Sequence, residues 1–396
     1  MNFYDVIIAG AGPAGLMCAI GAAQRNRSVI VVDKGREPGR KLLMSGGGRC
    51  NFTNYNMGSE FFISHNSLFC KSALSRFSQW DFIEILHEHG IEFEERDHGQ
   101  LFCVNSSRNI LDLLLNECRR LGVILRSCSE ISAVQRISQE NENNFQIRIG
   151  DESIFSSSLV MATGGLSIPS SGAGPIGYEI ARQFGHNVWK PRAGLVPLTF
   201  QPSEKAQFSQ LSGIAVKAMV RCNKRSFLEN ILFTHRGLSG PAILQISSFW
   251  SPGEKVHLDL LPGKSMEDIL NPANRTISGR KVKTVLGDFF PKRLIAAFLP
   301  ESLSGISVRS LTPGHIRTIQ DKLGNWMFIP AGTEGFRTAE VTLGGVDCDE
   351  IYPKTMESRK VPGLYFIGEV LDVTGWLGGY NLQWAWSSGW SAGRVV

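Results

Sequence analysis

Between Gly39 and Asn54 the chain concentrates more hydrogen-bonding chemistry than anywhere else in its 396 residues: Gly39-Arg40-Lys41-Leu42-Leu43-Met44-Ser45-Gly46-Gly47-Gly48-Arg49-Cys50-Asn51-Phe52-Thr53-Asn54. Three consecutive glycines can turn successive backbone N–H groups inward as a nest, which binds a phosphate or the polar edge of a cofactor ring. Arg40, Lys41 and Arg49 add cationic donors on both sides, and Ser45, Asn51 and Thr53 add neutral ones. A plain flexible loop would use the glycines but has no need of the flanking cations or of the polar residues that follow. Cys50 adds an acid, since an ordinary thiol with a pKa of about 8.5 is protonated at neutral pH and can donate. An isolated cysteine is otherwise a small packed hydrophobe.

Such a motif must be held by a scaffold, and three separated glycine segments describe one. Gly10-Ala11-Gly12-Pro13-Ala14-Gly15 follows the apolar run from Tyr4 to Ala9, a tight turn from a strand into a helix. The second glycine lets the backbone approach a pyrophosphate at the helix N-terminus, where unpaired N–H groups favour anions. Gly10, Gly12, Ala14 and Gly15 are therefore the predicted pyrophosphate contacts. The next strand, Ser28 to Val32, delivers Asp33, the predicted ribose clamp, with Lys34 beside it. NAD, NADP and FAD all use this turn, and the other two segments decide among them. Ala162-Thr163-Gly164-Gly165 closes a second apolar run, and Tyr365-Phe366-Ile367-Gly368-Glu369 closes a third. In two-domain flavoproteins the chain returns to the nucleotide fold at a Gly-acid step whose carboxylate binds the ribityl chain. Gly368-Glu369 resembles that step, with Glu in place of the usual Asp. Gly378-Gly379-Tyr380-Asn381-Leu382 then opens a helix whose N–H groups can face the N1/O2 edge of a flavin, where negative charge gathers on reduction. The three segments together predict bound FAD, and Ile131 is assigned to the same cofactor. A further turn, Gly172-Ala173-Gly174-Pro175-Ile176-Gly177, matches the first fingerprint. The strand before it ends at Thr163, nine residues earlier, so no second nucleotide fold is expected. NAD(P)H is expected as a transient reductant, and this turn as a cover over the flavin ring.

The elements that position these groups follow from periodicity. Apolar residues recur at helical spacing over 67–89 and 107–121, and short strands with a polar turn at Gln139 to Asn144 fill Val123 to Val160. From Arg192 to Arg337 prolines punctuate strand-like pieces. The predicted class is α/β: a Rossmann-like FAD domain from 1–191 and 337–396, with 192–336 inserted as a β-barrel carrying a helical excursion over about 265–325. The net charge of +5 hides an asymmetry. Lys190 to Pro330 carries 19 basic against 9 acidic residues, a net of +10, and the remainder 22 against 27, a net of −5. A basic lobe attracts polyanions, although single basic runs also occur on ordinary solvated surfaces. The two runs are Lys217, Arg221, Lys224, Arg225 and Arg275, Arg280, Lys281, Lys283, Lys292, Arg293. Eight cysteines at irregular spacing form no Cys-x-x-Cys pair, so neither a disulfide framework nor a metal site is expected, and a reducing cytoplasm is the expected compartment. The apolar stretch Val6 to Ile20 is too short and too glycine-rich to span a bilayer, so neither a membrane association nor a signal peptide is expected.

The motif at Gly39 to Asn54, together with Leu232-Phe233-Thr234-His235-Arg236-Gly237-Leu238-Ser239-Gly240-Pro241, the run Gly332 to Gly345 and the C-terminal run Gly363 to Gly389, strongly resembles the bacterial BaiN/RdsA family of NAD(P)/FAD-dependent oxidoreductases. The resemblance covers essentially the whole chain. It is strongest to the branch associated with dihydrouridine formation in ribosomal RNA, and other branches oxidise amino ketones or reduce steroid enones. It implies FAD, an inserted barrel with a helical unit, and 23S rRNA as partner. Reducing the C5=C6 bond of uracil needs a hydride at C6, a proton at C5 and groups that stabilise the enolate at O4. Cys50 and His235 are the candidate acids, and Arg337, which like Arg236 and Glu334 lies in a returning segment of the insertion, is the candidate charge partner. A small-molecule flavin oxidase or reductase, and an FAD-containing rRNA assembly factor without turnover, are the alternative functions.

Overall fold

The computed structural model describes residues 2–139 and 142–396, so Glu140 and Asn141, within the turn expected at Gln139 to Asn144, lie outside the described residues. The chain divides into two compact units, 1–193 with 340–396, and 194–339.

The first unit is built on a seven-stranded sheet. Phe3–Ala9 lies centrally, paired in parallel with Val29–Val32 on one side and Glu152–Met161 on the other. Ile124–Arg126 extends the sheet beyond Val29–Val32, and Leu364–Phe366 pairs in parallel with Glu152–Met161. Strands covered on both faces read as unbroken apolar runs, and Val29–Val32 and Val6 to Ala9 are buried throughout. An antiparallel pair, Ile131–Gln139 and Glu142–Ile149, continues from the other edge of Glu152–Met161. Two helices pack closely together: Pro13–Ala23, immediately after the first strand, and Tyr380–Gly393 at the C-terminus. The helical period over 67–89 resolves into two helices, Phe69–Arg76 and Gln79–Glu88. Ser78 divides them because its N–H and hydroxyl both bond to Asp81, a capping box that starts a new helix.

The second unit holds another seven-stranded sheet, whose hydrogen-bonded path runs Trp326–Phe328, Val256–Asp259, Ala215–Cys222, Arg225–Phe233, Gly237–Ser239, Leu198–Thr199, Gly332–Thr333. Its first and last strands are joined by residues 329–331 alone, a connection that spans at most about 14 Å. The sheet therefore curls back on itself as an incomplete barrel. Phe233, Phe298, Trp326 and Phe328 fill its interior. Short helices from Met266–Ile269 to Pro313–Leu323 form the helical excursion.

Candidate functional site: a glycine-built cofactor cradle

Each glycine of the first turn has a different physical task. Gly10 has a φ of +111°, and a Cβ there would collide with the carbonyl of Ala162, so it lets two strand ends meet. A Cβ at Gly15 would collide with the Gly10 carbonyl, which sets the helix close against the turn. Gly12 is different: nothing lies within 4 Å of where its Cβ would be. That open space faces a helix whose first internal bond, Leu16 N–H to Gly12 O at 3.0 Å, leaves the Ala14 and Gly15 N–H groups outside the helical ladder. Asp33 ends the next strand, with Oδ2 accepting from Ala11 N–H at 2.6 Å and Oδ1 from Gly35 N–H at 2.7 Å. Its carboxylate is thereby fixed beside the turn. Lys34 Nζ reaches Ala173 O at 3.5 Å, so the second glycine turn meets the chain beside Asp33.

The donor-rich motif forms a short helix, Arg40–Met44, and then three residues with positive φ: Gly46 at 56°, Gly47 at 65° and Gly48 at 88°. A Cβ at Gly47 or Gly48 would meet nothing within 4 Å, which leaves the loop open on that side. Lys41 does not point away from the fold. Its Nζ lies 2.5 Å from Glu369 Oε2 and 2.6 Å from Ser167 Oγ, and Glu369 Oε1 accepts from Ser167 Oγ at 3.0 Å and from Thr342 N–H at 2.9 Å. Both carboxylate oxygens of Glu369 are thus held by this chain's own donors. Thr342 Oγ1 in turn accepts from the Leu166 N–H at 2.8 Å, which fixes the segment after Ala162, Thr163 and Gly164.

The loop before the C-terminal helix is fastened from both sides. Asn381 bonds Gly375 through both ends of its amide, at 2.8 and 2.9 Å, and Asn54 Nδ2 donates to Gly378 O at 2.9 Å. Asn51 pairs with the Gln100 amide at 2.8 Å, and Thr53 Oγ1 with Gln383 Oε1 at 2.6 Å. Gly379 has a φ of 93° and abuts the Thr53 carbonyl. The first helical bond is Gln383 N–H to Gly379 O at 3.0 Å, so the N–H groups of Tyr380, Asn381 and Leu382 precede the ladder. The Gly368 N–H bonds to Ser388 Oγ and its carbonyl accepts from Trp384 Nε1, both at 3.0 Å. Arg40 is exposed, Ser45 bonds back to Leu42 O, and Ile131 is buried at the start of its strand.

These residues fit FAD. The open space at Gly12 suits a pyrophosphate, two helix starts supply unused N–H groups, and Asp33 is positioned for a ribose. The hydroxyl oxygen of Thr163 is buried with no hydrogen-bond partner among the described residues, an orphan beside the same cradle.

The candidate acids are placed very differently. Cys50 is 0% exposed, inside the core of the first unit; burial, and then Cys103, push its thiol pKa up. His235 and Arg337 belong to the second unit and are exposed. His235 sits in a turn made by Thr234 Oγ1, which accepts from Arg236 N–H at 3.2 Å and Gly237 N–H at 3.0 Å. Arg236 lies 3.8 Å from Glu334. Sequence reasoning missed Ser167, Thr342 and Gln383, because short-range patterns carry no signal for partners hundreds of residues apart.

The family model described as HI0933-like protein Rossmann domain matches residues 4–395. The chain is 48% identical to a ribosomal RNA dihydrouridine synthase of Escherichia coli strain K12, over 100% of this chain and 98% of that protein. It is 46% identical to a protein of the same name from Haemophilus influenzae strain Rd, over 100% and 99%. A 3-dehydro-bile acid delta(4,6)-reductase of Clostridium scindens is 30% identical over 100% and 99%. Among solved structures, a 3-ketosteroid delta1-dehydrogenase from Sterolibacterium denitrificans aligns over 99% of both chains with a TM-score of 0.51 at 12% identity, a likeness of fold alone. The match to the family model over nearly the whole length, with relatives that are themselves covered almost end to end, places the chain in the HI0933-like Rossmann family, to which the BaiN/RdsA resemblance pointed.

Proposed function

We propose that the chain is an FAD-dependent oxidoreductase that reduces the C5=C6 bond of a uridine in ribosomal RNA, within the 23S strand, with NAD(P)H as transient reductant. The observation that carries this reading is the 46–48% identity, over the full chain, to two proteins named for that product. The glycine cradle supports it from the structural side. Bound FAD supplies hydride-transfer chemistry. The chain's own residues supply the rest. Gly12 and the two helix starts hold the anionic and electron-accepting parts of the cofactor, and Asp33 holds a ribose. Lys41, buttressed by Glu369 and Ser167, fixes the donor-rich loop. The exposed His235 and Arg337 are the groups we assign to the proton at C5 and the charge at O4.

Mass spectrometry of rRNA nucleosides tests this directly. A strain lacking the gene should lose the mass gain of two hydrogens on one 23S uridine, and a plasmid copy should restore it. An unchanged dihydrouridine content would end the rRNA reading. A second reading rests on the 30% identity to the bile acid reductase, whose name also describes a reductase. A purified holoprotein that reduces a conjugated steroid enone, but not rRNA, would establish it instead. NADH and NADPH, offered separately to the yellow protein, identify the reductant by bleaching of the flavin absorbance.

A further inference from the structure

We propose that ribosomal RNA docks on the outer face of the antiparallel sheet in the second unit, gripped by its hairpin from Ala215 to Phe233. This deepens the rRNA reading above and rests on it. Alternation along the strand sets the face: Ala218, Val220 and Cys222 are buried, while Lys217 and Arg221 point out and Met219 is half-buried between them. On the partner strand Lys217 is opposite Asn230, Met219 opposite Leu228 and Arg221 opposite Ser226. The row continues through His257, beside Arg221, to Met327. Leu228 and Met327 are 41% and 47% exposed, although their neighbours Phe227 and Phe328 are buried.

Cations and hydrogen-bonding side chains thus alternate with apolar ones across four strands. That mixture suits single-stranded RNA, whose phosphates take the cations while its bases lie against apolar surface. Among the described residues no carboxylate lies within ion-pair distance of Lys217, Arg221 or Lys224, all three exposed. Asp259 is the acid on this face, opposite Met219, with Oδ1 taken by the Leu261 N–H. Glu229 is half-buried and accepts from Gln245. In the other basic run two of the six cations are paired internally: Arg280 lies 3.1 Å from Asp288 and Lys283 lies 2.6 Å from Glu301. Of the two runs read from the sequence, the hairpin is the one whose cations share a sheet face with exposed apolar side chains, and it carries the docking charge.

Filter binding of the holoprotein to protein-free 23S rRNA, over a series of salt concentrations, tests the assignment. The double variant Lys217→Glu/Arg221→Glu should bind at least ~10-fold more weakly, and its salt slope should fall by about 1.5 from loss of two phosphate contacts. Arg280→Gln/Lys283→Gln should bind within about twofold of wild type. FAD content and melting temperature report folding, and Lys217→Ala/Arg221→Ala gives a milder version of the same comparison. Wild-type affinity in both hairpin variants would overturn the proposal. So would unchanged affinity for naked rRNA together with lost association with ribosomal particles, which would make the face a protein-docking surface. A wild-type protein that does not bind rRNA at all would instead remove the rRNA reading itself.

Discussion

At the scale of single residues, the cradle depends on one glycine that is open and two that are crowded. Gly12 has ordinary extended backbone, φ −79° and ψ 179°, so a β-branched residue is sterically permitted there in the empty protein. The Gly12→Val variant should fold with a near-normal melting temperature, yet bind FAD at least ~10-fold more weakly, a loss of about 1.4 kcal/mol or more, because the new side chain fills the anion's space. Normal FAD content in the folded variant would show that the pyrophosphate lies elsewhere. Cys50 makes the converse case. A thiol with no exposed surface and a raised pKa is a packing group, so Cys50→Ala should cost about 1–2 kcal/mol of stability and leave single-turnover dihydrouridine formation within about threefold of wild type. A ~100-fold slower reaction at unchanged stability would restore Cys50 as the general acid.

At the scale of elements, the C-terminal helix organises the first unit. Its small residues lie against the first helix: a Cβ on Gly389 would overlap the carbonyl of Ala14, and one on Gly393 would come within 2.7 Å of Cys18 O. Its larger residues reach the loops, Trp384 bonding Gly368 O and Trp386 bonding Phe52 O at 2.9 Å. Gly389→Ala should therefore destabilise the protein by about 1–3 kcal/mol through overpacking, seen as a lower denaturation midpoint. A change below about 0.5 kcal/mol would mean that the two helices separate easily. This packing was only half legible in the sequence. The strand-turn-helix around Gly10 to Gly15 could be read because each glycine acts on neighbours a few residues away. Ser78 and Asp81 also carried a readable signal, a capping box within four residues, but the continuous apolar period masked it. The meeting of Gly389 with Ala14, and of Lys41 with Glu369 across 328 positions, has no local signature.

At the scale of the whole chain, the first unit must close after a long excursion, since 194–339 interrupts it. His186 helps to seal that closure. It is almost fully buried, with Nδ1 3.1 Å from Glu350 Oε2 and Nε2 2.8 Å from Ser358 Oγ, while Glu350 also holds Asn187 N–H at 2.9 Å and Lys360 Nζ at 2.5 Å. Residues before the excursion are thereby tied to residues after it. Burial lowers the His186 pKa below its ordinary value of 6.5, more than Glu350 raises it. The folded state therefore holds the imidazole neutral at a pH where the unfolded chain binds a proton. Stability from this group is complete above about pH 6.5 and is lost as the pH falls below it, at no more than about 1.4 kcal/mol per pH unit. The wild-type melting temperature should drop more steeply between pH 7.5 and 5.5 than that of His186→Gln, which has no imidazole to protonate. Other groups titrate alike in both proteins, so the difference between the two curves isolates His186. Parallel curves would show that its protonation is not coupled to the joining of the two chain segments.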